Sequence, residues 1–159
     1  MGKLIVINHM TLDGVMQAPG GPDEDTRGGF ERGGWAAPNT DDVMLEVLGK
    51  GTQKYVASTT LSEPLPWQNS TLLRGDVSET VAKLKEDSDE DIGVLGSGDL
   101  IQTLREHELV DEYLLMIHPL VLGTGRQLFP EGGPAGALAL AESVVTTKGV
   151  VIGTYRTAE

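Results

Sequence analysis

Cysteine is absent from this chain of 159 residues, which removes disulfides and thiolate chemistry and leaves the redox compartment unmarked. Basic residues are scarce: 12 Lys and Arg stand against 24 Asp and Glu, for a formal net charge of -12. Such a field repels nucleic acid and anionic membrane, so neither is expected as a partner. An anionic cofactor would have to be held by local donors. Long apolar runs are missing as well. After Met1-Gly2-Lys3 comes only the run from Leu4 to Ile7, too short for a signal peptide or a membrane span. A cytoplasmic protein is expected, with no metal site. What is present, 39% apolar and 23% charged residues, suits one soluble domain with a real core.

The chain is organised around Asp91 to Leu104. Ile92 to Leu95 reads as a short buried strand, and Leu100, Ile101 and Leu104 recur at helical spacing directly after it. Gly96, Ser97 and Gly98 lie between. A strand turning through small residues into a helix aims backbone N–H groups and the positive end of the helix dipole at open space, where a phosphate fits. The third glycine of a dinucleotide-binding fingerprint is lacking, since Ile101 holds its place. The competing reading is a tight turn with Ser97 or Asp99 as helix cap.

Elsewhere the elements alternate. Leu4 to Ile7 is a central strand, leading into Asn8, His9, Met10 and Thr11 and an Asp13-Gly14 turn. Asp13 reads either as a turn carboxylate capping local N–H groups or as a proton donor beside a cofactor. His9 is expected to face solvent or to pack near the strand end, the alternative being a catalytic role. From Gln17 to Pro38 the chain is a glycine- and proline-rich loop, long enough to suggest function. Phe30 and Trp35 either fold over a pocket as a lid or pin the loop down. A helix starts at Asn39 to Asp42 with Val43, Met44, Val47 and Leu48 as its apolar stripe. Strands follow at Lys54 to Ser58 and Ser70 to Leu73, separated by a Ser-Thr turn and an irregular link at Pro64, Pro66 and Trp67. A helix begins at Asp76 or Ser78. Beyond the central stretch, Tyr113 to Val121 is a strand broken at His118-Pro119. Gly123 to Gly125 turns, and Leu138 to Val145 with Gly149 to Tyr155 form an antiparallel pair. This order predicts an α/β sheet with an antiparallel C-terminal edge, unlike a doubly wound domain.

Thr11-Leu12-Asp13-Gly14-Val15, Lys54 to Leu61, Leu95-Gly96-Ser97-Gly98 with its helix, and Pro119 to Gly125 occur in an order that resembles the dihydrofolate reductase-like superfamily. Within it, the chain is similar to the reductase domain of the riboflavin-biosynthesis deaminase–reductase and its stand-alone relatives. The resemblance implies a three-layer α/β fold with a central mixed sheet flanked by helices. It also implies NADPH bound across strand ends and hydride transfer to a small pterin-like or ribosylamino-pyrimidine-like substrate. Gly96, Ser97 and Gly98, with Asp99 beside them, match the turn that cradles the cofactor pyrophosphate. Ser58, Thr59 and Thr60 match the turn at the adenosine phosphate end, and Thr11, Asp13 and Gly14 match the loop beside the nicotinamide. Asn8, Trp35, Gly123 and Gly125 fall at the substrate mouth, and Asp13 is the acid the resemblance offers. A homodimer is implied as well.

One departure stands out. Set against that family, a strand and a helix with a Gly-Arg-x-Thr-Tyr-like motif, normal after the first helix, are missing near residues 49–53, where Leu48 to Thr52 reads either as a plain connection or as a vestige of the motif with Lys50 and Thr52 as phosphate contacts. That gap supports the alternative of a non-catalytic dimeric or ligand-binding member, or a binder of another phosphorylated small molecule. On the reductase reading, valine at Gly98 is expected to block the pyrophosphate.

Overall fold

The computed structural model describes residues 1–48, 54–66 and 69–158. The vestigial contacts at Lys50 and Thr52, the proposed gap at 49–53 and Trp67 lie outside the described residues. Five strands form one mixed sheet: β1 (Leu4–Thr11), β4 (Ile92–Val94), β5 (Glu112–His118), β6 (Leu138–Val145) and β7 (Val151–Thr157). Their order across the sheet is β4-β1-β5-β7-β6. β4, β1 and β5 run parallel, and β7 and β6 close the sheet antiparallel. A separate pair, β2 (Lys54–Ala57) and β3 (Ser70–Leu73), is parallel. The α-helices among the described residues are α1 (Asp42–Leu48), α2 (Val77–Asp87) and α3 (Gly98–Glu106). Among the described residues no helix lies between β2 and β3.

Local chemistry accounts for most boundaries. Asp41 starts α1 by accepting from Met44 N at 3.0 Å. Asp76 caps α2, its carboxylate accepting from Ser78 N and Glu79 N. Ser97 caps α3 through Leu100 N at 3.4 Å. β5 stops at His118 because Pro119 has no N–H to continue the ladder. Two of the boundaries that differ from expectation bear on the site. β1 continues four residues past Ile7, because Asn8 to Thr11 pair with Leu115 to His118 and polar side chains do not prevent a ladder that β5 completes. β4 ends at Val94, so Leu95 is a 76% exposed turn residue and not a buried one.

The alternation of β1 assigns its faces. Leu4 and Val6 join Val94, Tyr113 and Leu115 under α2 and α3, which contribute Val81, Ile101 and Leu104. Ile101 and Leu104 are fully buried, and each adds about 1.5–3 kcal/mol by leaving water. On the opposite face Met44 of α1 packs on Met116, Val150 and Ile152. A third cluster, Val15, Ala18, Phe30, Trp35 and Ala36, belongs to the long loop. The α3 side of β6 and β7 carries Leu138, Leu140, Ser143, Val145, Val151, Gly153, Tyr155 and Thr157, none charged. Leu140 and Val145 are 56% and 63% exposed there.

Candidate functional site

The C-terminal ends of the parallel strands β4, β1 and β5 point the same way, and the ends of such strands are where ligands bind in α/β sheets. β4 pairs with β1 only from Leu4 to Val6, whereas β5 accompanies β1 to Thr11. Past Val6, the edge of β1 that faces β4 has no strand beside it among the described residues. The chain leaving β4 swings away through Leu95, Gly96 and Ser97 into α3. The result is a notch between the bare edge of β1 and the N-terminus of α3.

At the rim of this notch the peptide between Gly96 and Ser97 is cis, and Gly96 has φ 128°. A Cβ at Gly96 would point into open space. Gly98 is different: its missing Cβ makes room for Met16, whose Sδ would be 3.2 Å away. Valine at Gly98 therefore collides first with Met16, which corrects the expectation that it would report on phosphate alone. Asp99, in the first turn of α3, is the hub of an ion cluster. Arg126 pairs with its Oδ1, and Arg27 Nη1 lies 3.4 Å from its Oδ2. Arg27 is also held at 2.6 Å by Asp25, whose carboxyl is driven well below its ordinary range by that guanidinium. A small cleft of about 70 Å³ opens between Met16, Arg27, Gly98, Asp99, Arg126 and Pro130. The alternation of β1 puts Asn8 on the face of Val6, the face that α3 covers. Asn8 is 5% exposed and its Nδ2 has no hydrogen-bond partner. An orphan donor, two cations, a helix N-terminus and an open glycine fit the phosphates and amide of a dinucleotide.

Asp13 has another task. Its carboxylate accepts from Thr11 Oγ1 at 2.6 Å, Gly123 N at 2.7 Å and Leu122 N at 3.2 Å. The Thr11 hydroxyl and then the Gly123 amide hold its pKa below the ordinary carboxylate value. These three donors make the carboxylate a staple between the two turns, the geometry of the turn reading. Thr11, fully buried, also accepts from Val15 N, and Gly14 donates to Thr11 O. Gly125 at φ 117° is kept free of a side chain by Val15 and Phe30, 2.7 and 2.8 Å from where its Cβ would stand. These residues tie the two turns together. Trp35 is 7% exposed; its indole N–H donates to Gln17 O at 2.8 Å, and its ring meets His118 edge-on at 5.2 Å. The aromatics of the loop are anchors in a core, not a cover over a pocket.

Histidine supplies a feature that the residue pattern left unused. His118, at the end of β5, has no exposed surface, and its Nε2 lies 2.9 Å from Nδ1 of His9 on β1. Asn39 Nδ2 lies 3.4 Å from His118 Nδ1. Burial, and then the neighbouring His9, push His118 down to about 4. His9 is lowered by burial, with the Glu24 carboxylate opposing.

Ser58, Thr59 and Thr60 are not brought to the notch by strand pairing, because they follow β2 in the separate two-stranded sheet. Ser58 Oγ accepts from Thr60 N and Leu61 N, an ordinary turn. A wide cleft of about 710 Å³ lies at the other end of β5, between α3 and the start of β6, where Tyr113, Phe129 and Leu138 line it. No group of three or more His, Cys, Asp or Glu among the described residues is placed to hold a metal. None of the described helices is long and apolar enough to cross a membrane.

The family model described as the RibD C-terminal domain matches residues 31–152. The chain belongs to the RibD C-terminal domain family. The matched span includes Trp35, the Gly96 turn, His118 and Arg126; Asn8, His9, Asp13 and Arg27 precede it. Bacillus subtilis (strain 168) YyaP, an uncharacterized protein, is 34% identical over 115 residues, covering 72% of this chain and 59% of that protein. The chain thus spans less than two thirds of that relative's length. The solved structure of a protein assigned to riboflavin biosynthesis from Shewanella sp. PV-4 is similar over 99% of both chains. Its TM-score is 0.68 at 20% identity. A pyrimidine reductase-like protein from Corynebacterium diphtheriae has a TM-score of 0.57 at 13% identity, over 99% of this chain and 92% of its own. The RibD C-terminal fold, a dihydrofolate reductase-like mixed sheet between helices, is therefore the fold of this chain. The meeting of Arg27 with Arg126 at Asp99, and of His9 with His118, was missed because only the fold brings them together. In so acidic a chain, a lone Arg beside each of two glycine turns was the signal available.

Proposed function

We propose that this RibD C-terminal domain protein is an NADPH-dependent reductase that passes hydride to a small substrate, pterin-like or ribosylamino-pyrimidine-like. The observation that carries the reading is the start of α3, where Arg126 and Arg27 line a small cleft in ion pairs with Asp99 and Asp25, next to the open Gly96 turn and on the sheet face that carries the orphan Asn8 amide. Arg126 and Arg27 would hold the cofactor phosphates against the chain's negative field. Asn8 would give its amide N–H to a carbonyl, and the packed loop would exclude water. The nicotinamide supplies the hydride when bound.

Titration of NADPH and NADH into purified protein, followed by nicotinamide fluorescence, tests this. Saturable NADPH binding is expected, weakened about tenfold in Arg126→Gln by loss of a charge-assisted hydrogen bond. No binding of either nucleotide to well-folded protein refutes it. One observation favours a second reading, a member that binds ligand without turnover: the carboxylate of Asp13, the acid the resemblance offered, is taken up by Thr11, Leu122 and Gly123. Tight nucleotide binding with no oxidation across a substrate panel would select that reading.

We also propose a homodimer through the uncharged α3 side of β6 and β7. Two chains of net charge -12 meet at least electrostatic cost where charge is absent, and this face supplies apolar surface without it. Sedimentation should show a dimer that Leu140→Lys converts to monomer. A wild-type monomer at high micromolar concentration refutes the proposal.

A further inference from the structure

The wide cleft at the start of β5 holds groups that the notch does not use. Tyr113, near the start of that strand, lies about 17 Å along it from His118 at the other end. Its ring and that of Phe129 stand 5.8 Å apart, tilted at 57°. Val110 and Leu138 extend this apolar wall around a space of about 710 Å³, a size that suits a small organic ligand. Phe129 keeps 36% of its surface exposed. Arg105, in the last turn of α3, lies over the Phe129 ring, its Cζ 4.8 Å from the centroid. Its Nη1 donates to Gln102 Oε1 at 2.7 Å and its Nη2 to Pro134 O at 2.6 Å. Neutral groups thus hold the guanidinium in place, and it has more N–H groups than those two contacts use. Among the described residues no carboxylate forms an ion pair with it, although 24 acidic residues stand against 12 basic ones in the sequence. The arginines at the notch, by contrast, are both paired with carboxylates.

We propose that this cleft is a binding site of its own, separate from the notch, for a planar aromatic monoanion: its carboxylate bonds to the unused N–H groups of Arg105, and its ring packs on Phe129, Tyr113 and Leu138. A guanidinium already fixed in position, with donors to spare, matches the two oxygens of a carboxylate. The two tilted rings favour a flat aromatic guest over an aliphatic one. A single charge is favoured because Arg105 is the one cation among the described residues that line the cleft, while Glu106 and Glu108 stand exposed at its rim. A second anionic group finds no cation there and faces those carboxylates. Burial raises the Tyr113 phenol above its ordinary value, with the Arg105 guanidinium opposing, so the phenol stays neutral and adds no charge. The site needs no nucleotide, so it stands apart from the reductase reading.

The test is fluorescence titration of the purified protein at neutral pH with three probes. They are 2-naphthoate, 2-naphthamide, which keeps the ring and loses the charge, and 2,6-naphthalenedicarboxylate, which doubles the charge. Naphthoate is expected to bind saturably, about tenfold tighter than either of the others, the worth of a hydrogen bond to a charged group. Arg105→Gln should abolish that preference while leaving naphthamide affinity within about twofold. Arg105→Lys, which keeps the charge without the planar fork, should restore part of it. Phe129→Ala should weaken naphthoate and naphthamide alike, about fivefold, through the lost ring contact. Leu138 and Thr157 also lie on the face proposed for the dimer, so the titration is repeated on Leu140→Lys, which frees that face. Binding to Leu140→Lys alone supports the site and shows that a second copy covers it. Naphthoate binding to neither protein overturns the proposal. So does naphthoate binding that Arg105→Gln leaves unchanged, or a preference for the dianion.

Discussion

Replacing His118 by glutamine should remove most of the histidine-linked acid sensitivity of this fold. His118 is fully buried and its pKa is pushed down to about 4, from an ordinary value of 6.5, by burial first and then by His9. The unfolded chain therefore binds a proton between pH 6.5 and 4 that the folded chain refuses. Stability is complete above the unfolded value and is lost as pH falls through that window. Linkage puts the loss at about 2 kcal/mol by pH 5 and about 3 kcal/mol by pH 4. The sequence pI near 4.5 makes the lower limit impractical, so urea unfolding from pH 7.5 to 5.0 is the suitable range. Glutamine can still bond to both His9 and Asn39 but cannot titrate. Its overall stability will be lower for lost packing on Trp35, so the slopes are compared, not the absolute values. The wild type should lose about 2 kcal/mol more than His118→Gln between those limits. His9, also lowered, gives the variant a residual slope of the same sign. The carboxylates lowered by hydrogen bonds, Asp13, Asp41 and Asp76 among them, act mainly below pH 4. Parallel curves for the two proteins would show that His118 ionises freely and refute the reasoning.

Gly125→Ala should cost about 2–3 kcal/mol in urea unfolding, because a side chain there meets Val15 and Phe30 at a positive φ; a change under about 0.5 kcal/mol would mean that the turn rearranges freely. Leu104→Ala should cost about 2–5 kcal/mol, since the residue has no exposed surface between α3 and the sheet; the same unfolding assay checks it. Asp99→Asn should tighten NADPH about two- to fivefold at low salt by releasing Arg126 and Arg27 from an internal competitor. Weaker binding in that variant would show that Asp99 serves to place the arginines.

Much of the fold was legible where side-chain chemistry is local. Proline after His118 ends β5, Asp76 opens α2, and the spacing of Leu100, Ile101 and Leu104 marks the buried side of α3. The closing pair was legible from its apolar runs, although β7 starts later than expected and continues to Thr157. Less of the site was legible. Glycine turns announce that backbone is special without saying why: Gly96 opens onto space, Gly98 admits Met16, and Gly125 admits Phe30. Asp13 has the composition of an acid and the surroundings of a staple, and only the arrival of Gly123 from 110 residues away distinguishes them. The His9–His118 contact also spans 109 residues, and nothing near either histidine in the chain foretells it.

The anchoring of Phe30 and Trp35 sets the timing of anything that must pass beneath the long loop. Lifting that segment exposes two aromatic side chains and breaks the Trp35–Gln17 hydrogen bond, at about 5 kcal/mol in all. The raised form is then present in about one molecule in several thousand. Such a loop does not swing as a hinge on nanosecond scales; it opens by local unfolding, in microseconds or slower. A ligand that needs that opening associates at a rate governed by departures from the core, and warming should accelerate it far more steeply than diffusion alone.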